Sequence, residues 1–435
     1  MLRDLAAAVA AALLVTAAVL VGRHIQDTRH TLFVHWPPVL AEWDPHVGPG
    51  TPAAVLLAVA TVVWGPRLAD RLPWRLLPLT AWAASTAWVV SLALVDGWHR
   101  GIAGRLTTRE EYLRVTGRFH DIPAALRDFT QHIVAGTPSP WPAHVAGHPP
   151  GATLTFVLLD RIGLRGGGWA GMWCVVLGAS ACAAVLIALR ALTDESLARR
   201  AAPFLVLAPA AVWLGTSADA YFAAAAAWAL ALLALAVTTR SPARAAASGL
   251  LFGLTCYLSY GLTLIALIGA TVLLLGRRGV RPALLAALLA GLAVVPVAFT
   301  LAGFDWWTAY HLLVTRYYQG VGGVRPYGYW VWANLACAVL ITGPATAAGL
   351  RRAATALTPR TPTADRRLAV LVAAALLALL VADLSGMSKA ETERIWLPFA
   401  VWLLPACAYL PRPRAWLTAQ AVLALLLNHL LLTGW

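Results

Sequence analysis

The chain has 435 residues, of which 60% are hydrophobic and only 12% are charged, and its mean hydropathy is +0.72. A soluble domain has about 45–50% apolar and about 25% charged residues, so this composition excludes a soluble globular protein. The net charge of +14 would suggest a nucleic-acid partner in a soluble protein. In a membrane protein, a positive net charge instead indicates which loops lie on the cytoplasmic side. We therefore expect no nucleic-acid partner.

Apolar runs separated by polar or Pro/Gly-rich stretches predict the membrane spans. At about 20 residues per span there is apolar material for roughly a dozen, which excludes a single-anchor enzyme. The first run, 5–21, lacks a small-residue cleavage site, and we interpret it as an uncleaved signal anchor. The further runs are 52–65, 77–95, 169–189, 202–216, 219–238, 246–258, 260–276, 282–302, 329–349, 368–384, 395–410 and 415–432. We therefore predict an all-α polytopic membrane protein with about 13 transmembrane helices, forming one domain over 1–435.

The distribution of arginine predicts how the chain is oriented in the bilayer. If the N-terminus is cytoplasmic, seven short inner stretches hold 19 of the 33 basic residues but only five of the 19 acidic ones. Such enrichment of arginine in short loops is typical of the cytoplasmic side. The outer side then carries the long segments 22–51, 96–168, 303–328 and 385–394, with ten of the eleven histidines. We expect a multi-pass protein of the cytoplasmic membrane whose active side is extracytoplasmic.

The large outer segment 96–168 is expected to contain surface helices. Apolar residues at three- and four-residue spacing between 122 and 133 predict an amphipathic helix lying flat on the membrane. Asp121 stands directly before this helix, as an N-cap or as a carboxylate available for chemistry, and the pattern leaves both open. His148-Pro149-Pro150 then introduces an apolar run too short to span, which we interpret as a second surface or re-entrant helix.

The third outer segment, 303–328, combines basic and aromatic side chains. Arg316 and Arg325 can bind phosphate through two parallel hydrogen bonds, and rings such as Tyr317 and Tyr318 can stack on sugar faces. An interfacial aromatic belt is the alternative interpretation, and the two can both hold.

The last outer segment, 385–394, has an unusual density of charge. Lys389, Glu391, Glu393 and Arg394 fall within six residues, directly before Trp396. An arginine and a tryptophan at a helix end are often only interfacial anchors, but four ionised groups beside an apolar span favour a functional site.

An acidic residue in a large outer loop, followed by amphipathic chain, His-Pro-Pro and a short apolar helix, resembles the GT-C superfamily of glycosyltransferases. This superfamily includes the protein O-mannosyltransferases, the aminoarabinose transferases and the actinobacterial mannosyl- and arabinosyltransferases. The resemblance implies that Asp121 is the catalytic base and that His148 opens a helix framing the site. Because the family's acidic residue is usually in the first outer loop, Asp44 is the rival base.

The resemblance also implies a reaction and a set of binding residues. The enzyme would move a sugar from a polyprenyl-phosphate donor to an extracytoplasmic glycolipid, glycan or protein acceptor, with inversion of configuration at the anomeric carbon. Membrane lipid would surround the protein. The donor phosphate would contact Lys389, Glu391, Arg394, Arg316 and Arg325, and the substrates would contact His148, His120, Trp396, Tyr317 and Tyr318. No cofactor is implied, although a divalent cation stays open, and the five cysteines lie in apolar runs without metal-ligand spacing.

A multi-pass transporter or lipid flippase is the alternative function. Such proteins carry ionisable residues at mid-membrane and often show two related halves. Here only His429 lies clearly within a predicted span, Asp219 and Asp383 lie near span ends, and the halves show no repeat. The sequence therefore favours the enzyme.

Overall fold

The computed structural model describes residues 1–434, which fold almost entirely into helices. The α-helices are α1 (Leu2–Arg29), α2 (Thr51–Arg71), α3 (Leu77–Ala93), α4 (Ile122–Asp128), α5 (Ala143–Ala146), α6 (Pro150–Arg161), α7 (Gly167–Ala179), α8 (Ala181–Leu192), α9 (Glu195–Val206), α10 (Ala211–Leu214), α11 (Ala218–Thr239), α12 (Pro242–Leu258), α13 (Ile265–Leu275), α14 (Pro282–Leu301), α15 (Trp306–Gln319), α16 (Val321–Val324), α17 (Tyr327–Thr342), α18 (Pro344–Ala356), α19 (Thr363–Leu384), α20 (Thr392–Ile395), α21 (Leu397–Ala400) and α22 (Pro413–Leu430). Short 3₁₀ helices cover Leu94–Asp96, Arg105–Thr107, Tyr112–Phe119, Phe129–His132, Tyr260–Leu264, Arg277–Gly279 and Leu404–Tyr409, and a π-helix covers His99–Ala103. The predicted all-α class is confirmed.

Seven helical segments of the described chain are long and apolar enough to cross a membrane. They are Leu2–Arg29, Thr51–Arg71, Leu77–Asp96, Gly167–Leu192, Ala218–Thr239, Pro282–Leu301 and Thr363–Leu384. The bent pair α17 and α18 is an eighth candidate. The other five predicted runs also lie on helices, but those helices are short, interrupted or too polar, so the count of 13 stays a prediction.

The central helix of the fold is α11. In its most apolar window 78% of the residues are buried, against 17% in α1, α2 and α14, which face outward. α12 packs against α11 on one side and α14 on the other, and α7 and α8 also contact α11. The N-terminal end of α11 therefore lies deep in the molecule, at the end that the arginine distribution predicts to be outer.

The predicted outer segments fold onto the ends of these helices. The first contributes β1 (Ala41–Trp43), which pairs antiparallel with β2 (Leu431–Thr433), with Ala41 opposite Thr433. The amphipathic helix predicted over 122–133 is α4 followed by the 3₁₀ turn Phe129–His132, and the short helix after His-Pro-Pro is α6. Their orientation parallel to a membrane, and the assignment of one domain to 1–435, stay predictions.

Candidate functional site

Ionisable side chains from several separate stretches meet in one largely buried group, which we name the charged cluster. It draws on the segments 96–168, 303–328 and 385–394 and on the first turn of α11. Its members are Glu111, His144, His148, Asp219, Arg325, Lys389, Glu391, Glu393 and Arg394. Lys389 is joined to it through its backbone carbonyl, and Glu393 through the charges of Glu391 and Arg394. The packing of the helix ends brings together residues that are far apart in the sequence. Glu111 and Arg394, for example, are 283 residues apart, and both contact His144.

Arg394 lies at the centre of the charged cluster, with 7% of its side chain exposed. Its Nη1 donates to Asp219 Oδ2 at 2.5 Å and its Nη2 to Glu391 Oε2 at 2.7 Å. Nη2 also lies 3.1 Å from His144 Nε2. Burial alone would lower the pKa of Arg394, but the carboxylates of Asp219 and Glu391 raise it above its usual value, so the guanidinium stays charged.

Asp219 is held in place by the start of α11. Ser217 caps this helix by accepting a hydrogen bond from the backbone N–H of Asp219 at 3.1 Å. A carboxylate in the first turn is favoured by the exposed N–H groups and the positive end of the helix dipole. The sequence Ser-Ala-Asp therefore directs one carboxylate toward Arg394.

Glu391 lies between two guanidinium groups. Arg325 Nη1 is 3.6 Å from Glu391 Oε1, whereas Arg394 binds the other carboxylate oxygen, Oε2. Burial would raise the pKa of Glu391, but the charges of Arg394 and Arg325 outweigh it and lower the pKa to about 2. Arg325 also donates to the carbonyl oxygens of Leu32 at 2.9 Å and Lys389 at 2.8 Å, which joins the first and last outer segments.

Glu393 is the most enclosed member of the charged cluster, with none of its surface exposed. Oε1 accepts a hydrogen bond from the backbone N–H of Leu40 at 2.9 Å, and Oε2 has no partner in the part of the chain that the structure describes. Burial raises the pKa of Glu393 to about 7. This carboxyl group can therefore change its charge near neutral pH.

Two histidines line the side of the charged cluster formed by segment 96–168. Glu111 Oε1 lies 2.8 Å from His144 Nδ1, and His148 Nδ1 lies 2.7 Å from the carbonyl oxygen of His144. The two histidines are one helical turn apart, in α5 and directly before α6. Burial lowers the pKa of His148 to about 4, so its ring is neutral at pH 7.

The predicted base Asp121 lies outside the charged cluster. It is the exposed N-cap of α4, and its Oδ1 accepts from the backbone N–H of Ala124 at 3.0 Å. The carbonyl of the adjacent His120, another exposed candidate, accepts from Arg161 Nη2 at 2.8 Å, at the C-terminal end of α6. His148 precedes the other end of α6, and 12 residues at ~1.5 Å each make this helix about 18 Å long.

The rival base Asp44 is also exposed and apart from the charged cluster. It follows β1, four residues beyond Leu40, whose N–H bonds to Glu393. At ~3.3 Å per extended residue this is a separation of about 13 Å. The structure therefore brings neither predicted base to Arg394.

The remaining predicted residues divide between the charged cluster and its surroundings. Lys389 Nζ donates to the carbonyl of Gly322 at 2.9 Å and lies 5.4 Å from the centre of the exposed Tyr318 ring. The Lys389 backbone N–H donates to the hydroxyl of Tyr317 at 3.1 Å. Arg316 is half-buried on α15, and Trp396 is fully buried in the hydrophobic core.

Sequence reasoning did not select Glu111, His144 or Asp219 as site residues. Two of them carry a signal in the sequence: Asp219 is an acidic residue two positions after a serine within an apolar run, and His144 is a histidine four positions before His148. Glu111 carries no such signal. Neither signal identifies a partner, because Arg394 lies 175 residues beyond Asp219.

A cavity of about 620 Å³ lies next to the first turn of α6, close in the chain to His148 of the charged cluster. It is formed by the ends of α12 and α14 and the start of α15, and it is lined by Cys256, Tyr257, Thr263, Pro296, Thr300, Gly303, Phe304, Asp305, Trp306 and Trp307. A Cβ on Gly151 would lie 2.5 Å from the carbonyl oxygen of Tyr257, so the cavity wall touches the first turn of α6, three residues after His148.

No family model matches the chain, and no curated protein matches it significantly. The fold is similar to that of the Archaeoglobus fulgidus oligosaccharyltransferase in the apo form, at 15% identity and a TM-score of 0.50, over 77% of this chain and 50% of that one. The complex of that protein with Zn and sulfate matches at 16% identity and a TM-score of 0.46, over 79% and 53%. Its form tethered to an acceptor peptide with the NVT sequon matches at 13% and 0.43, over 77% and 49%.

This chain spans about half the length of the oligosaccharyltransferase chains that it matches. At such low identity the similarity concerns the fold alone. Oligosaccharyltransferases have the GT-C fold, so the comparison agrees with the fold that the sequence resemblance implied.

The sequence leaves a divalent cation open, and the residues of the charged cluster bear on that possibility. Within residues 1–434 no group of three or more His, Cys, Asp or Glu side chains is arranged to hold a metal. The guanidinium of Arg394 lies between Asp219 and Glu391, where a cation would otherwise bind. The residues present therefore do not fit a divalent cation at this position.

Proposed function

We propose that this protein is a membrane glycosyltransferase that moves a sugar from a polyprenyl-phosphate donor to a glycolipid, glycan or protein acceptor on the extracytoplasmic face of the cytoplasmic membrane. The observation that carries this proposal is the convergence of three predicted outer segments and the N-terminus of α11 on the charged cluster. The fold similarity to an oligosaccharyltransferase supports it. A mannosyl- or arabinosyltransferase of the actinobacterial type is the specific form that we propose.

The chemistry requires stabilisation of a leaving phosphate. An acceptor hydroxyl oxygen attacks the anomeric carbon from the side opposite the phosphate, the bond from that carbon to the phosphate oxygen breaks, and the configuration inverts. The lipid phosphate leaves with additional negative charge, which Arg394, Arg325 and Lys389 are suited to stabilise. These three cations are balanced by Asp219, Glu391 and Glu111, so the site is preorganised without a large excess of either sign.

The cavity next to the first turn of α6 suits the hydrocarbon chain of such a donor. Its walls are mostly apolar and aromatic, including Tyr257, Pro296 and Phe304. α14 contributes to the cavity and is also one of the least buried apolar helices of the protein, so in a membrane lipid would contact this helix. A chain entering from the bilayer would place its phosphate toward α6 and the charged cluster.

Reconstitution tests the proposal. Purified protein in nanodiscs is incubated with radiolabelled polyprenyl-phosphate mannose or arabinose and with membrane glycolipids, and labelled products are separated by chromatography. Arg394→Lys keeps the charge but loses the forked geometry, and we expect a fall in kcat of about 10²-fold or more. Arg165→Lys is the matched control, because Arg165 is 75% exposed and pairs with Asp160 at the C-terminal end of α6, whereas His148 precedes the N-terminal end.

Transfer from none of these donors, or full activity of Arg394→Lys, would contradict the proposal. Movement of the labelled lipid across the bilayer without a glycosylated product would instead support the transporter or flippase alternative.

A further inference from the structure

The two ring nitrogens of His148 differ in their contacts: Nδ1 is hydrogen-bonded within the described part of the protein, whereas Nε2 is not. Nδ1 lies 2.7 Å from the carbonyl oxygen of His144 and 3.1 Å from the hydroxyl of Tyr112. Because a carbonyl only accepts hydrogen bonds, Nδ1 of the neutral ring carries the proton. Nε2 then holds the lone pair, and within residues 1–434 it has no hydrogen-bond partner.

The position of the His148 ring is fixed by its neighbours. Tyr112 meets it edge-on with 5.9 Å between ring centres, and Phe222 of α11 lies 5.6 Å away on another side. Tyr112 is itself stacked on Phe156 of α6 at 5.2 Å. Pro149 and Pro150 follow directly in the chain and restrict the backbone. The ring is half-buried, so Nε2 is held in one orientation and is still reachable.

Charged and titratable groups surround this ring on every packed element. Tyr112 and Glu111 come from segment 96–168, His144 from α5, Asp219 from α11 and Arg394 from α20. Burial keeps the ring neutral, and the negative charge of Asp219 favours its protonated form. The charge of Asp219 thus favours a proton that arrives at Nε2, whereas the charges of His144 and Arg394 oppose it.

We propose that Nε2 of His148 accepts the proton of the acceptor hydroxyl as that hydroxyl attacks the sugar. The inference rests on the proposed glycosyl transfer. The hydroxyl oxygen forms the new bond to the anomeric carbon, the bond from that carbon to the lipid phosphate breaks with its electron pair leaving on the phosphate, and the hydroxyl proton moves to Nε2. The resulting imidazolium releases its proton to water before the next cycle.

Kinetics of His148 variants test the assignment in the same nanodisc assay. We expect His148→Gln and His148→Ala to lower kcat by about 10²–10⁴-fold with donor binding unchanged. Added imidazole should restore part of the activity of His148→Ala, because it supplies the missing nitrogen. His132→Gln is the matched control, since His132 lies in the same segment and its Nδ1 bonds to the Pro138 carbonyl at 3.0 Å.

The possible failures are distinguishable. A wild-type protein that transfers no sugar overturns the proposed function and this inference together. Wild-type kcat in His148→Gln, with loss of rate in Asp121→Asn or Asp44→Asn, overturns the His148 assignment alone and returns the base to an aspartate. A loss in His148→Ala that imidazole does not restore, with a lowered melting temperature, assigns His148 a structural role and also overturns it.

Discussion

At the scale of single residues, Arg394 explains how two carboxyl groups, those of Asp219 and Glu391, are accommodated side by side in a buried place. An isolated buried carboxylate is so unfavourable that it normally takes up a proton. Here each carboxylate accepts a short hydrogen bond from a different nitrogen of the same guanidinium. A planar side chain with five donors can do this, whereas an ammonium group cannot hold both partners in fixed directions. Arg394 therefore both balances the charge of its partners and holds Asp219 and Glu391 in fixed directions.

We expect Asp219→Asn to destabilise the fold by about 3 kcal/mol, because removing one member of a buried ion pair leaves its partner without full compensation. Chemical unfolding in detergent measures the change. Asp128→Asn is the control, because Asp128 is exposed on α4 and bonds only to Gln131 at 3.4 Å among the described residues. Equal stability of the two variants would show that the pair with Arg394 contributes little.

Glu393 gives a prediction for the pH dependence of stability. Its pKa is raised to about 7 in the folded protein, so the folded state binds the proton more tightly than the unfolded chain. The corresponding stability is fully present below the unfolded pKa of about 4.3 and is lost as the pH rises through 7. We expect Glu393→Gln to remove this loss, so that its melting temperature exceeds that of wild type at pH 8 and the difference shrinks at pH 5. A constant difference across this range would contradict the assignment.

At the scale of elements, close contact between α12 and α14 depends on glycine. A Cβ on Gly249 would lie 2.0 Å from the carbonyl oxygen of Leu288, and one on Gly291 would lie 2.1 Å from that of Ala246. Small residues of this kind let two helices approach closely in a membrane, where dispersion contacts replace the hydrophobic effect. This packing positions Tyr257 and the cavity beside α6.

Gly249→Ala tests the contact. Alanine is normally favoured over glycine in a helix by about 1 kcal/mol, but here the added methyl group must separate the helices at a cost of about 1–3 kcal/mol. We therefore expect a lower melting temperature for Gly249→Ala. Gly328→Ala on α17 is the control, because nothing lies within 4 Å of its added Cβ. Unchanged stability in both variants would mean that α12 and α14 separate freely.

The break between α17 and α18 is an element that the hydropathy pattern did not predict. The run 329–349 reads as one span, but the two helices meet at 106° around Gly343, which has a φ of 81°. Gln420 donates to the carbonyl of Thr342 at 2.7 Å, so a side chain of α22 satisfies backbone that the break exposes. Apolar composition alone does not distinguish a straight helix from a bent pair.

At the scale of the whole molecule, the orientation in the membrane is the prediction with the widest consequences. We expect a cysteine introduced as Ser139→Cys, in segment 96–168, to react with a membrane-impermeant maleimide in intact cells. Thr358→Cys, between α18 and α19, should react only after permeabilisation, because both positions are exposed and differ only in side. Wild-type protein is the control, since four of its five cysteines are buried and Cys256 is partly so. The reverse pattern would place the charged cluster on the cytoplasmic side.

The sequence by itself determined the helical class, three of the segments that meet at the charged cluster, and several members of that cluster: Arg325, Lys389, Glu391, Arg394 and His148. These follow from local quantities, namely hydropathy, spacing and the density of charge. Only the tertiary structure decided which groups meet. Asp219 and Glu111 belong to the charged cluster because they contact Arg394 and His144, which are distant in the sequence. Asp121 and Asp44 lie outside the cluster. The physical reason is that burial and ion pairing depend on distances in space, which the packing of α6, α11 and α20 sets and local composition does not contain.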